Sequence, residues 1–142
     1  MNSKDKGDIT EAVITAEFMK NGIIVLEPRG DNQRYDLVID TGNSFLKIQC
    51  KTGRYTDGKI IFSTDSSHYG HKAKDSKYVH SAYTKDEVDY FAVYCPKLDT
   101  SYLIKFEDSS KSSCTLRVEE SRQTKGIRWA KDYLFNIQVA LL

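Results

Sequence analysis

The stretch YDLVIDTGNSFLKIQCKT, residues 35–52, decides the reading of this chain. Residues 35–41 and 44–52 are rich in β-branched and aromatic side chains, the composition of strands. Gly42-Asn43 between them suits a two-residue hairpin loop, because both residue types tolerate a positive φ. With those two residues as the loop, Thr41 faces Ser44 and Asp36 lies directly across from Gln49. Side chains alternate along a strand, so Lys51 shares a face with Gln49 and Asp36. Leu46, Ile48 and Cys50 then point the other way, into a core. The hairpin therefore gathers a carboxylate, an amide and an ammonium on one surface.

Working outward, residues 8–20 predict a helix. Ile9, Ala12, Val13, Ala16 and Met19 recur at helical spacing, and Asn21-Gly22 supplies a stop. Ile14 and Phe18 form a second apolar stripe, and Glu11 projects beside it. An acid in the first turn is also favoured by the helix dipole, so Glu11 has a purely structural reading as well. Residues 23–27 read as a buried strand ended by Pro28, followed by a loop into the Asp36 strand. Beyond Lys51 the pattern gives a turn over 52–58, a strand over 59–65 and a long polar loop over 66–86 with one helical turn. Strands follow at 88–95 (stopped by Pro96), 100–106 and 113–118; residues 127–135 suit a helix or an extended segment. The order opens α-β-β-β and fits an α/β (α+β) arrangement, with residues 1–142 as a single domain.

Composition narrows the function. With 142 residues, 39% apolar and 29% charged, the chain has the make-up of a globular protein. No apolar run reaches membrane-spanning length, and the polar N-terminus lacks the apolar core of a signal peptide, so a cytoplasmic protein without a membrane partner is expected. Cys50, Cys95 and Cys114 lack metal-binding spacing and read as reduced thiols. A net charge of +1 hides an uneven distribution. Arg54, Lys59, Lys72, Lys74 and Lys77, with His68 and His71 among them, make a basic segment directly after Lys51. Arg122, Lys125, Arg128 and Lys131 make a second. Acids near one site and bases on two flanking segments suit a polyanion.

The order of parts resembles the PD-(D/E)xK nuclease superfamily. Asp36 matches the Asp of that motif, Gln49-Cys50-Lys51 its (Glu/Asp)-x-Lys, and Lys6-Gly7 through Glu11 the acidic opening-helix motif of resolvase-like members. The segments KGDITEA, GDNQRYDLVID and IQCKTGR look most like the small group I intron-encoded homing endonucleases of cyanobacteria. Tyr35 stands where the name-giving Pro would be, a variable position. Gln49 replaces a carboxylate, which bears on the metal, because Mg²⁺ prefers charged oxygen ligands.

The resemblance implies a restriction-endonuclease-like core, a mixed β-sheet flanked by helices, and a Mg²⁺-dependent endonuclease in which Mn²⁺ substitutes. It implies Glu11, Asp36, Gln49 and Lys51 as catalytic residues, with Glu11, Asp36, Gln49 and the Cys50 carbonyl as metal ligands. Double-stranded DNA is the expected partner, contacted by Arg54, Lys59, His68, His71, Lys72, Lys74 and Lys77. A homing role demands a long pseudopalindromic target, hence a homo-oligomer, dimer or tetramer. Two alternatives share these residues: a structure-specific nuclease resembling Holliday-junction resolvases, and a non-cleaving DNA-binding module in which Gln49 marks a decayed site.

Overall fold

Asn2 starts the helix. Its Oδ1 accepts a hydrogen bond from the Asp5 amide at 2.8 Å, so α1 runs over Ser3–Lys20 and begins five residues before the expected start at residue 8. Gly22, at φ +75°, lets the chain leave the helix. The computed structural model describes residues 1–30, 33–69, 78–122 and 125–136, with the backbone alone for 66–69 and 78–81. The later strands are β1 (Ile24–Leu26), β2 (Leu37–Asp40), β3 (Phe45–Thr52), β4 (Arg54–Thr56), β5 (Lys59–Ser63), β6 (Asp65–Tyr69), β7 (Tyr78–Ala82), β8 (Tyr90–Cys95), β9 (Thr100–Lys105) and β10 (Ser113–Arg117). Short 3-10 helices cover Phe106–Asp108 and Ala130–Tyr133.

The hairpin register is the one the sequence dictates. Leu37 faces Ile48 and Asp40 faces Phe45, while the Thr41 amide donates to the Ser44 carbonyl at 3.0 Å. Gly42 takes the left-handed step at φ +88°, and its amide donates to Asp40 Oδ1 at 2.8 Å. At the open end, the Asp36 amide donates to the Ile48 carbonyl at 2.9 Å, holding Asp36 in register with Gln49.

Among the described residues the strands form three sheets. The largest has the order β1-β2-β3-β8-β9 and is mixed, since β3 and β8 run parallel and the other neighbours antiparallel. A second has the order β10-β5-β4, and β6-β7 is a ribbon. Alternation along β8 and β9 sorts side chains into two cores. Tyr90, Ala92 and Leu103 join Leu37, Ile39, Ile48 and Cys50 beneath Ile14 and Phe18 of α1. Phe91, Val93, Cys95, Tyr102 and Ile104 face Ile60, Phe62 and Leu116 of the second sheet. The central sheet is thus covered by a helix on one face and by a small sheet on the other. Gly53 marks the seam: a Cβ there would lie 2.6 Å from Ile60 Cγ2 and 3.0 Å from Val93 Cγ1.

Several expectations are corrected. The helix buries Thr10, Ile14 and Phe18 rather than the stripe through Ile9 and Met19, which are 42% and 63% exposed. Phe18 stands edge-on to Phe135 with ring centroids 4.9 Å apart, and the bulkiest pair on the helix sets its buried line. Truncating such a fully buried ring would cost about 3–5 kcal/mol. The expected turn at 52–58 contains β4, which pairs with β5 around Asp57-Gly58. The expected loop at 66–86 contains most of β6 and all of β7, which pair antiparallel from Asp65–Ala82 to Tyr69–Tyr78; DSSHY lacks the apolar alternation that signals a strand. Residues 127–135 hold a 3-10 helix and two isolated bridges, Arg117 with Trp129 and Tyr102 with Leu134, instead of a longer element. Cys114 is buried along with Cys50 and Cys95, and all three are free thiols.

Candidate active site

Two chain segments meet where β2 and β3 part. Asp36 directs Oδ2 at the Cys50 amide, which donates to it at 2.9 Å. A residue in an extended strand turns its N–H and C=O to the same side, so the Cys50 carbonyl also faces Asp36, beyond the last rung of β2. The Cys50 side chain is buried on the helix side and takes no part in the pocket. On the other side of the pocket, α1 is fixed by a hydrogen bond between the hydroxyls of Thr10 and Thr52 at 2.6 Å. Thr10 precedes Glu11 and Thr52 follows Lys51, so this part-buried contact, together with Ile14 and Phe18 packed on the sheet, ties the segment of the helix acid to that of the strand lysine.

Glu11 and Asp36 line one open, polar cavity of about 290 Å³, together with Glu27, Gln33 and Tyr35. Burial, followed by the charges of Asp36, Asp8 and Glu27, pushes the Glu11 carboxyl up to about 7. Burial also raises Asp36, opposed by the Cys50 amide and the Lys51 charge. Glu11, raised by burial and by neighbouring carboxylates with no cation among the causes, is a carboxyl whose charged form a divalent cation would favour. The donors are oxygens, the chemistry that Mg²⁺ and its relatives select. Among the described residues, no group of three or more His, Cys, Asp or Glu side chains is placed to hold a metal ion. Three acids, Glu11, Glu27 and Asp36, line the cavity, and the uncharged Gln49 stands outside it.

Lys51 lies on the face of β3 opposite α1. Its Nζ donates to the Asp65 carbonyl at 2.9 Å and stands 5.1 Å from the centroid of the Tyr83 ring. Burial lowers its pKa and outweighs the opposing charges of Asp36 and Asp65, with Arg34 adding to the fall. The nearby acids alone suggest a lysine that holds its proton more firmly; desolvation reverses the sign.

The structure brings Glu11 and Asp36 together, with the Cys50 backbone and Lys51 beside them. Gln49 keeps its register opposite Asp36 but does not line the acidic cavity. Arg54 is exposed on β4, Lys59 is half-buried on β5, and His68 belongs to β6, paired with Val79. His71, Lys72, Lys74 and Lys77 lie outside the described residues.

Glu27 and Arg34 join the site beyond the residues that the sequence points to. Glu27 ends the apolar run IIVLE, and a charge at such a strand end is the signal that it borders a pocket. Arg34 pairs with Glu87 at 3.1 Å, donates to the Ala82 carbonyl at 2.9 Å and lies 4.4 Å above the Tyr83 ring. Nothing local in the sequence announces that long-range stack.

The sequence profile of the PD-(D/E)XK endonuclease family matches residues 1–136. Among solved structures, the bacterial homing endonuclease I-Ssp6803I superposes with a TM-score of 0.78 at 26% identity, covering 99% of this chain and 94% of that one. Hjc, a Holliday junction resolvase from the archaeal hyperthermophile Archaeoglobus fulgidus, superposes with a TM-score of 0.52 at 14% identity, covering 95% of each chain, and shares the fold. No curated protein matches the chain by sequence.

Proposed function

The chain belongs to the PD-(D/E)XK endonuclease family and is an endodeoxyribonuclease; from that premise we propose that it makes double-strand breaks at a long, pseudopalindromic DNA site, as an intron-encoded homing endonuclease does. The observation that carries the reading is the Glu11–Asp36 cavity opening beside Lys51. PD-(D/E)XK nucleases work with divalent metal ions, and here the ion is Mg²⁺, with Mn²⁺ as a substitute. Glu11 and Asp36 would hold it through charged oxygens, with the Cys50 carbonyl as a neutral donor and the Gln49 amide, which stands outside the acidic cavity, as a second that must turn inward. When bound, such an ion polarises a phosphate and acidifies a water.

The chain's own groups do the rest. The Cys50 amide fixes one Asp36 oxygen and leaves the other for the cavity. Lys51, steadied by the Asp65 carbonyl and the Tyr83 ring, supplies charge to the phosphoryl oxygens and orients the attacking water. Gln49 offers oxygen without charge, so the catalytic set leans on the helix acid. Arg54, Lys59, His68, His71, Lys72, Lys74 and Lys77 track the DNA backbone from that centre.

Residues 1–142 act as one nuclease domain in the cytoplasm. One small domain spans little duplex and offers one catalytic centre, so a homo-oligomer, dimer or tetramer, supplies the second cut. Cleavage mapping on DNA that spans the intronless insertion site of the host's group I intron, with and without Mg²⁺, tests the reading. Paired cuts at one position that require the metal are expected; DNA left intact at every protein concentration would remove the homing assignment.

A further inference from the structure

Away from the acidic cavity, antiparallel pairing sets Lys59 directly opposite Arg117. Directly opposed residues hold their Cβ atoms roughly 5 Å apart on one face, and like charges there destabilise a sheet. A third cation joins them, because the Arg117 amide donates to the Arg128 carbonyl at 2.7 Å. Both guanidiniums are steadied by neutral acceptors: Arg128 Nε donates to the Asp108 carbonyl at 2.6 Å, and Arg117 Nε to the Glu119 carbonyl at 3.1 Å. The Glu119 carboxylate is occupied by the Tyr55 hydroxyl at 2.7 Å. Among the described residues, none of the three cations forms an ion pair. They line an open cavity of about 280 Å³, with Thr115 and Ser121 adding hydroxyls.

We propose that Lys59, Arg117 and Arg128 form a second phosphate site, which grips the DNA backbone within one helical turn of the cut. The inference rests on the nuclease reading for the identity of the polymer. Cations forced together without an acid await an anion, and arginine forks match a phosphate diester. Position argues for a phosphate of the same duplex. Lys59 starts β5, and six residues later Asp65 holds Lys51 through its carbonyl. Six extended residues reach at most about 20 Å, which keeps the two sites within one turn of B-DNA, about 34 Å.

The test is binding of a duplex about three helical turns long, in Ca²⁺ to prevent cleavage, by the full chain and its Lys59→Gln/Arg117→Gln variant. Relief of repulsion should leave the variant melting no lower than wild type, while affinity falls about tenfold. The slope of log K against log salt should shrink by about 0.9 for each phosphate that the variant no longer neutralises. Unchanged affinity and slope in a folded variant would overturn the proposal. So would a site that serves only small anions, seen as millimolar phosphate raising the melting temperature of wild type alone while duplex binding stays equal. Because the readout is binding, a wild type that never cuts but loses its grip through these substitutions would sink the nuclease reading and keep this one.

Discussion

Thr10→Val, in a double-mutant cycle with Thr52→Val, tests how strongly one hydroxyl contact ties α1 to β3. The substitution keeps the shape of the side chain and deletes the hydroxyl that bonds Thr52 at 2.6 Å, in a residue that is 1% exposed. A hydrogen bond contributes about 0.5–1.5 kcal/mol net, and a buried group left without its partner costs about 1–3 kcal/mol. Thr10 is the more deeply buried of the two, so Thr52→Val, which strands the Thr10 oxygen, should cost about 2 kcal/mol. Thr10→Val strands the half-buried Thr52 oxygen and should cost about 1 kcal/mol. Replacing both partners by apolar groups of the same shape removes the stranded atom, and valine suits the strand. The double variant should therefore recover most of the summed loss, giving a coupling of about 2–3 kcal/mol in urea unfolding at fixed pH. Single costs that simply add, within about 0.5 kcal/mol, would refute the reasoning.

Three other outcomes are expected. The Glu11 carboxyl is raised from 4.5 to about 7 in the folded chain, so the folded state holds that proton more tightly than the unfolded one. Its contribution to stability is full below about pH 4.5 and lost as the pH rises through about 7, so the metal-free protein should weaken across that window and Glu11→Gln should weaken less, the raised Asp36 remaining; matching pH profiles would contradict this. Gly53→Ala drives a Cβ to within 2.6 Å of Ile60 and should cost about 1–3 kcal/mol in thermal melting, whereas an unshifted midpoint would mean the two sheets are less tightly apposed. Replacing Lys72, Lys74 and Lys77 by Gln should weaken duplex binding and flatten its salt dependence; unchanged binding would exclude that segment from the footprint.

How far the sequence could be read depended on the range of the forces involved. The hairpin was legible because period-two alternation and a Gly-Asn loop are local and fix the register unaided. Asp36, Gln49 and Lys51 followed from that register. Glu11 was reachable as an acid beside the Ile14–Phe18 stripe, although that stripe looked secondary beside the longer run through Ile9 and Met19. Residues of the β6–β7 ribbon carry no periodic apolar signal, so pattern reading returned a loop. The lowered pKa of Lys51 was illegible for another reason. Adjacent carboxylates are visible in the sequence, but the burial that outweighs them belongs to the assembled fold. Likewise, Arg34 meets Tyr83 across more than forty residues, and no local pattern encodes that approach.

The central claim is that Glu11 and Asp36 form the catalytic centre of a metal-dependent nuclease. The most direct test is to compare duplex cleavage by wild type, Glu11→Gln and Asp36→Asn in Mg²⁺, alongside duplex binding in Ca²⁺. The account predicts that both variants bind DNA but no longer cut it. Cleavage retained at the wild-type rate by either variant would contradict it.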